Sequence, residues 1–255
     1  MSLWLLSILV LLFFVTTLVG VVTGSNSLIT VPVMFQFGID EKVAVATNMF
    51  GLTFMSVGAT IPFVRQGKIN YSKVWPLLLL TFAGSAAGAL LVGMITNQSL
   101  KLIVSIAMIA VAVFIFWQRD AGGEAAAARK PKRVLVYLLS FGLAIYGGLY
   151  SGGYITILTA VLVAFFAMPF SEAVASTKLI NVCSSLIATI IFMRDGLVDY
   201  KLGIILSVTM FIGAYIGAHY AAKMNETLLR RIFLATVVLL ALKTLYDLFG
   251  ALLNR

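Results

Sequence analysis

A single ammonium group inside an apolar run is the residue best placed to do chemistry in this 255-residue chain. Lys178 follows the start of the apolar run 173–193 by five residues, one or two helical turns below its edge. A charge at such a depth is costly unless it is paired or faces water, which makes it a functional candidate by default. Asn181 follows at i+3 on the same helix face, and Ser176 and Thr177 precede it. One charge, an amide and hydroxyls together suit an anion. The competing reading is a lysine that snorkels to the interface on its flexible stem.

Two short polar interruptions offer a second kind of chemistry. Thr23-Gly24-Ser25-Asn26-Ser27 and Ser151-Gly152-Gly153-Tyr154 each separate two apolar runs. Non-helical backbone at membrane depth is tolerated only where it is buried in protein or lines a cavity. A helix that restarts after such a break presents N–H groups and a positive dipole end to it, a setting that favours a small oxyanion. Ordinary extramembrane turns are the competing reading, more so for 151–154, where both flanking runs approach spanning length. Thr47 and Asn48 open the run after the first interruption much as Ser176 and Thr177 open the run after the second.

The remaining polar residues read as architecture. Arg65, Arg194, Tyr71 and Tyr200 stand at run ends, as interfacial anchors do, and Asp40, Glu41 and Glu172 stand at helix starts, where carboxylates favour the dipole. Gly84-x-x-x-Gly88 and Gly213-x-x-x-Gly217 permit close helix contact. His219 could carry a proton near neutral pH, or simply form a polar helix end beside Lys223. Cys183 is a lone, small residue within an apolar run, so neither a disulfide nor a cysteine-rich metal site is expected. There is no P-loop, H-E-x-x-H or G-x-S-x-G pattern, and no cofactor or metal is expected.

The elements that must position these residues follow from composition. The chain is 62% hydrophobic, 27 of its residues are charged and its mean hydropathy is +1.09. A soluble domain carries about a quarter of its residues charged, so this is an all-α polytopic membrane protein. Apolar runs cover 3–23, 28–37, 43–64, 74–95, 100–117, 134–150, 154–168, 173–193, 202–222 and 232–252. The run 28–37 is too short to span and reads as a re-entrant half-helix, since ten residues rise only about 15 Å. Residues 1–20 lack a basic n-region and a cleavage site, so they read as a retained first helix. The net charge of +9 sits at run ends, where it sets topology and does not bind nucleic acid.

A shift of 129 residues superposes the two halves of the chain. Ala44-Val45-Ala46 falls on Ala173-Val174-Ala175, Arg65-Gln66-Gly67 with Tyr71 on Arg194-Asp195-Gly196 with Tyr200, and Gly24 on Gly153. R-x-G-x-x-[ND]-Y twice at one offset is not produced by membrane composition alone. The expected organisation is a first transmembrane repeat over 1–118, a basic cytoplasmic linker over 119–133 and a second repeat over 134–255. Lys178 falls on Met49, a charge added to an otherwise symmetric frame. Loop charges leave inverted and parallel copies both open. Inversion is the reading adopted, because hairpins 3–37 and 134–168 would then enter from opposite faces and bring their tips together, with the site at the repeat interface.

These features resemble the sulfite exporter TauE/SafE family of anion permeases over essentially the whole chain. The resemblance rests on the glycine-containing break followed by Val31-Pro32, on Ala44-Val45-Ala46-Thr47, on Ala173-Val174-Ala175-Ser176-Thr177-Lys178-Leu179-Ile180-Asn181 and on the paired R-x-G loops. It implies a multi-pass carrier of the bacterial inner membrane that exports sulfite or a related organosulfur anion. The chain departs from the family pattern at the tips: the first glycine run is reduced to Gly24, and Val161 stands where Pro32 aligns. The expected function is secondary transport by alternating access, with Gly24, Ser25, Asn26, Ser27, Gly152, Gly153, Tyr154, Thr47, Asn48, Ser176, Thr177, Lys178 and Asn181 at the substrate site. Its partners are a small anion and the lipid bilayer. A channel using the same tips as a constriction is the alternative, and an enzyme is not expected.

Overall fold

The computed structural model describes residues 3–24, 26–100, 102–104, 106, 110, 132–225, 227–229, 231, 232 and 235. The linker expected at 119–133, up to residue 131, and most of the runs 100–117 and 232–252 lie outside the described residues, as does Ser25. Eight helices make up the described fold: α1 (Leu3–Thr23), α2 (Ser27–Gln36), α3 (Glu41–Arg65), α4 (Tyr71–Met94), α5 (Arg133–Leu149), α6 (Tyr154–Phe166), α7 (Phe170–Arg194) and α8 (Tyr200–Lys223). Five of them, α1, α3, α4, α7 and α8, are long and apolar enough to cross a membrane. The described residues are thus all-helical, with five candidate spans, as in a polytopic membrane protein.

Helices α3 and α8 extend past the starts of their apolar runs, where a carboxylate caps each of them. The Asp40 carboxylate accepts from the Lys42 and Val43 N–H groups at 3.0 and 3.2 Å, the N-cap arrangement that satisfies otherwise orphaned donors. Asp199 does the same for Leu202 N at 3.0 Å. At the C-terminal ends of α3 and α7, Gly67 and Gly196 take left-handed backbone (φ 62° and 69°). The following N–H groups, of Lys68 and Leu197, reach back to Phe63 O and Phe192 O at 3.0 and 2.9 Å, closing each helix as a Schellman turn. Gly38 does this for α2 (φ 76°), while α6 ends in a wider turn at Ala167 (φ 52°), the one non-glycine residue with positive φ among those described, with Met168 N–H reaching Leu162 O at 3.2 Å. An earlier start at Phe170 makes Lys178 the ninth residue of α7, about 12 Å along its axis.

Contacts fix the helix directions. The Thr53 and Thr189 hydroxyls meet at 3.1 Å and Asn181 Nδ2 donates to Ser56 Oγ at 2.6 Å, so α3 and α7 run antiparallel at the centre. Helix α3 runs parallel to α8, with Gly51 against Met210, Gly58 against Phe211, and the Arg65 guanidinium donating to Tyr215 OH at 3.3 Å. Helix α4 runs parallel to α7, tied at one end by the Lys73–Glu172 ion pair at 3.1 Å and midway by the Ser85–Ser184 hydroxyls at 2.7 Å.

Small residues set the outer contacts. Gly84 and Gly88 of α4 lie against the backbone of α5 at Phe141 and Ile145, and Gly213 and Gly217 of α8 lie against α1 at Phe14 and Leu18. Without a solvent-driven force between helices, such contacts hold by van der Waals packing that only a missing Cβ allows. The faces turned outward are apolar: Leu79, Phe82 and Leu90 on α4, and Ile204, Val208, Ile212 and Ile216 on α8, are exposed, as a lipid-facing surface requires. Helices α2 and α6, with 10 and 13 residues, rise about 15 and 20 Å, short of a hydrocarbon core of about 30 Å.

Two stability predictions follow from the backbone. A Cβ at Gly88 would overlap the Ile145 carbonyl oxygen, whereas Gly142 has open space around it. Gly88→Ala is expected to cost about 1–3 kcal/mol and to lower the melting temperature of the detergent-solubilised protein, with Gly142→Ala unchanged or slightly more stable. Equal melting temperatures for the two would contradict the close α4–α5 contact. Ala167→Gly, which relieves a left-handed alanine, is expected to stabilise the protein by about 1 kcal/mol in the same assay.

Candidate functional site

The two breaks are built alike and lie against each other. Gly24, after α1, and Gly153, before α6, both take left-handed backbone, φ 71° and 78°. A Cβ on Gly24 would strike the Ile155 side chain, so glycine is needed both for its backbone and for the close approach. Thr156 Oγ1 donates to Thr23 O at 2.6 Å and Tyr150 OH to Ser27 O at 3.0 Å. Tyr146 OH donates to Gly152 O. Side chains flanking the second interruption thus satisfy backbone carbonyls of the first.

Where the breaks meet α3 and α7 there is a cavity lined by Gly24, Asn26, Ser27, Ser151, Lys178 and Asn181, with Ser56 opposite and an apolar wall that includes Leu52, Met55 and Ile155. Its volume is about 10 Å³, room for roughly one water molecule. Lys178 is 4% exposed, so its stem does not carry the ammonium to the protein surface. Among the described residues no carboxylate is recorded in an ion pair with it. The start of α2 also reaches the cavity through Asn26 and Ser27, which brings the positive end of a helix dipole to the same place.

The other residues singled out from sequence hold this frame. Asn48 Nδ2 donates to Ser27 Oγ at 2.9 Å and its Oδ1 accepts from Thr30 Oγ1 at 2.8 Å, which fixes α2 to α3. Thr177 and Thr159 hydroxyls meet at 3.3 Å, fixing α6 to α7. Thr47 Oγ1 accepts from Asp199 N at 3.0 Å, at the start of α8, while Ser176 Oγ is buried without a hydrogen-bond partner among the described residues. The Tyr154 ring packs on Gly147, and Gly152 lies against the Tyr150 ring. Neither these two residues nor Gly153 is among the cavity-lining residues. Of the remaining candidates, His219 Nε2 sits 2.9 Å from Lys223 Nζ at a helix end, Tyr71 and Tyr200 are exposed, and Cys183 is half-buried with its thiol directed at Leu78 O.

Sequence reasoning passed over Ser56, Thr30, Thr159, Tyr150 and Thr156. A signal for two of them was present: Thr30 and Thr159 are 129 residues apart, and so are their partners Asn48 and Thr177. Ser56 offered none, because its partner Asn181 is 125 residues away and only the crossing of α3 and α7 joins them. Among the described residues no group of three or more His, Cys, Asp and Glu could hold a metal ion.

Comparison with known proteins gives relatives across the full length. A probable membrane transporter protein of Haemophilus influenzae is 26% identical over 243 residues, covering 95% of each chain. The probable membrane transporter protein YfcA of Escherichia coli K12 is 27% identical over 254 residues, covering 98% of this chain and 94% of its own. The probable membrane transporter protein YunE of Bacillus subtilis is 22% identical over 234 residues, covering 86% and 85%. No solved structure matches. The family described as sulfite exporter TauE/SafE matches residues 8–244, and the chain belongs to that family.

Proposed function

We propose that this chain is a secondary transporter that exports sulfite or a related small organosulfur oxyanion across the cytoplasmic membrane of a bacterium by alternating access. The observation that carries the reading is the cavity at the meeting of the two breaks, where Lys178, Asn26, Ser27 and Asn181 converge. The names of the relatives support transport, and the family description supports the substrate class. A cavity of about 10 Å³ is too small for an oxyanion, so loading requires α3 and α7 to part from the breaks.

Two inverted repeats frame this site in our reading. Helices α3 and α7 share their length and run antiparallel, the bounds of α3 and α4 recur 129 residues later in α7 and α8, and every positive-φ residue described has a counterpart at that offset. The helix directions bring Arg65, Lys68, Lys73, Arg133 and Lys223 to one end of the bundle, with Glu172 among them. Asp40, Glu41, Lys42, Arg194, Asp195, Asp199 and Lys201 go to the other. The basic end is the cytoplasmic one by the positive-inside rule. Efflux of an anion down an inside-negative potential is favourable by about 2.3 kcal/mol per charge per 100 mV, so transport needs no second driving ion.

Counterflow of sulfite in proteoliposomes tests the proposal. Saturable exchange is expected, with Lys178→Met lowering the flux about tenfold or more, equivalent to about 1.4 kcal/mol of lost binding. Unchanged flux in Lys178→Met would remove the lysine from the site, and single-channel currents in planar bilayers would replace the carrier by a channel.

A further inference from the structure

The charge of the cavity limits what it can hold. Among its described lining residues Lys178 is the only charged one, and the polar groups around it are neutral hydroxyls and amides. Asn181 is engaged, donating to Ser56 Oγ at 2.6 Å, and Ser27 Oγ accepts from Asn48 at 2.9 Å. Asn26 differs. It is 3% exposed and lines the cavity, yet neither its side-chain oxygen nor its nitrogen has a hydrogen-bond partner among the described residues. Its backbone carbonyl is used by α2, accepting from Ile29 N at 3.0 Å and Thr30 N at 3.1 Å. A buried amide open at both ends is rare and costly, and a ligand oxygen that accepts from its Nδ2 removes the donor's share of that cost.

We propose that the site selects a monoanion over a dianion, with Lys178 supplying the single compensating charge and the Asn26 amide donating to one oxygen of the ligand. This rests on the oxyanion reading given above and narrows it. A loaded site is then neutral. A second negative charge would meet no further cation among the described lining residues, in a setting where weak screening makes an unpaired charge costly. The start of α2 adds only about half a unit of positive charge. The N-cap of α6, Gly153, and its first residue, Tyr154, lie off the cavity. Asn26 is accordingly a specificity-determining residue, placed to register both the charge and the hydrogen-bonding edge of the ligand.

Binding to the purified full-length chain, followed by thermal shift and by competition below neutrality, tests this with three probes: hydrogensulfite, methanesulfonate (a monoanion at all accessible pH) and sulfate. Hydrogensulfite and methanesulfonate are expected to bind, and sulfate to bind about tenfold more weakly or worse. Sulfate binding as tightly as methanesulfonate would overturn the monoanion proposal and leave the transport reading standing. Binding of none of the three would overturn the oxyanion reading itself. Asn26→Asp, which sets a carboxylate beside Lys178, is expected to keep the melting temperature and to lose binding of both monoanions. Retained binding in that variant would remove Asn26 from the site, and the comparison of anions on the unaltered chain does not depend on how the variant folds.

Discussion

Inside a bilayer a broken helix exposes carbonyl and N–H groups that no water can satisfy, and each must find a partner within the protein. The two breaks of this chain meet that constraint largely through each other. Across the breaks, Thr23 O is bonded by Thr156 and Ser27 O by Tyr150, while Gly152 O is bonded locally by Tyr146. Because side chains of one break serve carbonyls of the other, the breaks are held together, and their junction is where polar lining and a helix start coincide. The position of the cavity is a consequence of backbone hydrogen bonding before it is a matter of any ligand.

The second requirement is proximity. Long apolar helices of ordinary composition would stand too far apart to hold the short helices α2 and α6 against α3 and α7. Glycines at 84, 88, 213 and 217 bring α5 onto α4 and α1 onto α8 at backbone contact. Scattered hydroxyl and amide pairs, Thr53 with Thr189, Ser85 with Ser184 and Asn181 with Ser56, then align the central helices. Each such bond contributes modestly in a membrane, about 0.6 kcal/mol on average, so their number and placement matter more than any one of them. Lys178 stands apart from this pattern, since it sits at the cavity with no described carboxylate to neutralise it.

Much of this was legible in the chain itself. Composition gives the membrane class, and the starts of α3 and α8 and the ends of α3 and α7 are local events written in Asp40, Asp199, Gly67 and Gly196. R-x-G-x-x-[ND]-Y recurs at 129 residues, and the bounds of α3 and α4 recur at that offset in α7 and α8, whereas those of α1 and α2 do not recur in α5 and α6. Lys178 and Asn26 were singled out because a charge or a break in an apolar run is visible without any fold. Local signals suffice for these features because capping, turn conformation and hydropathy depend on a few neighbouring residues.

The direction in which each side chain faces was decided by the tertiary structure. Of the residues expected at the substrate site, Thr47 bonds Asp199 N, Asn48 bridges Ser27 and Thr30, Thr177 meets Thr159, and Tyr154 fills the space over Gly147. Helix rotation is set by packing against partners more than a hundred residues away, such as Ser56 opposite Asn181, and no periodicity within one segment encodes it. Sequence determined which residues are polar and at what depth in the chain. The crossing of α3 with α7 and the contact of the two breaks determined which of them surround the cavity, because helix rotation and crossing are fixed by long-range packing.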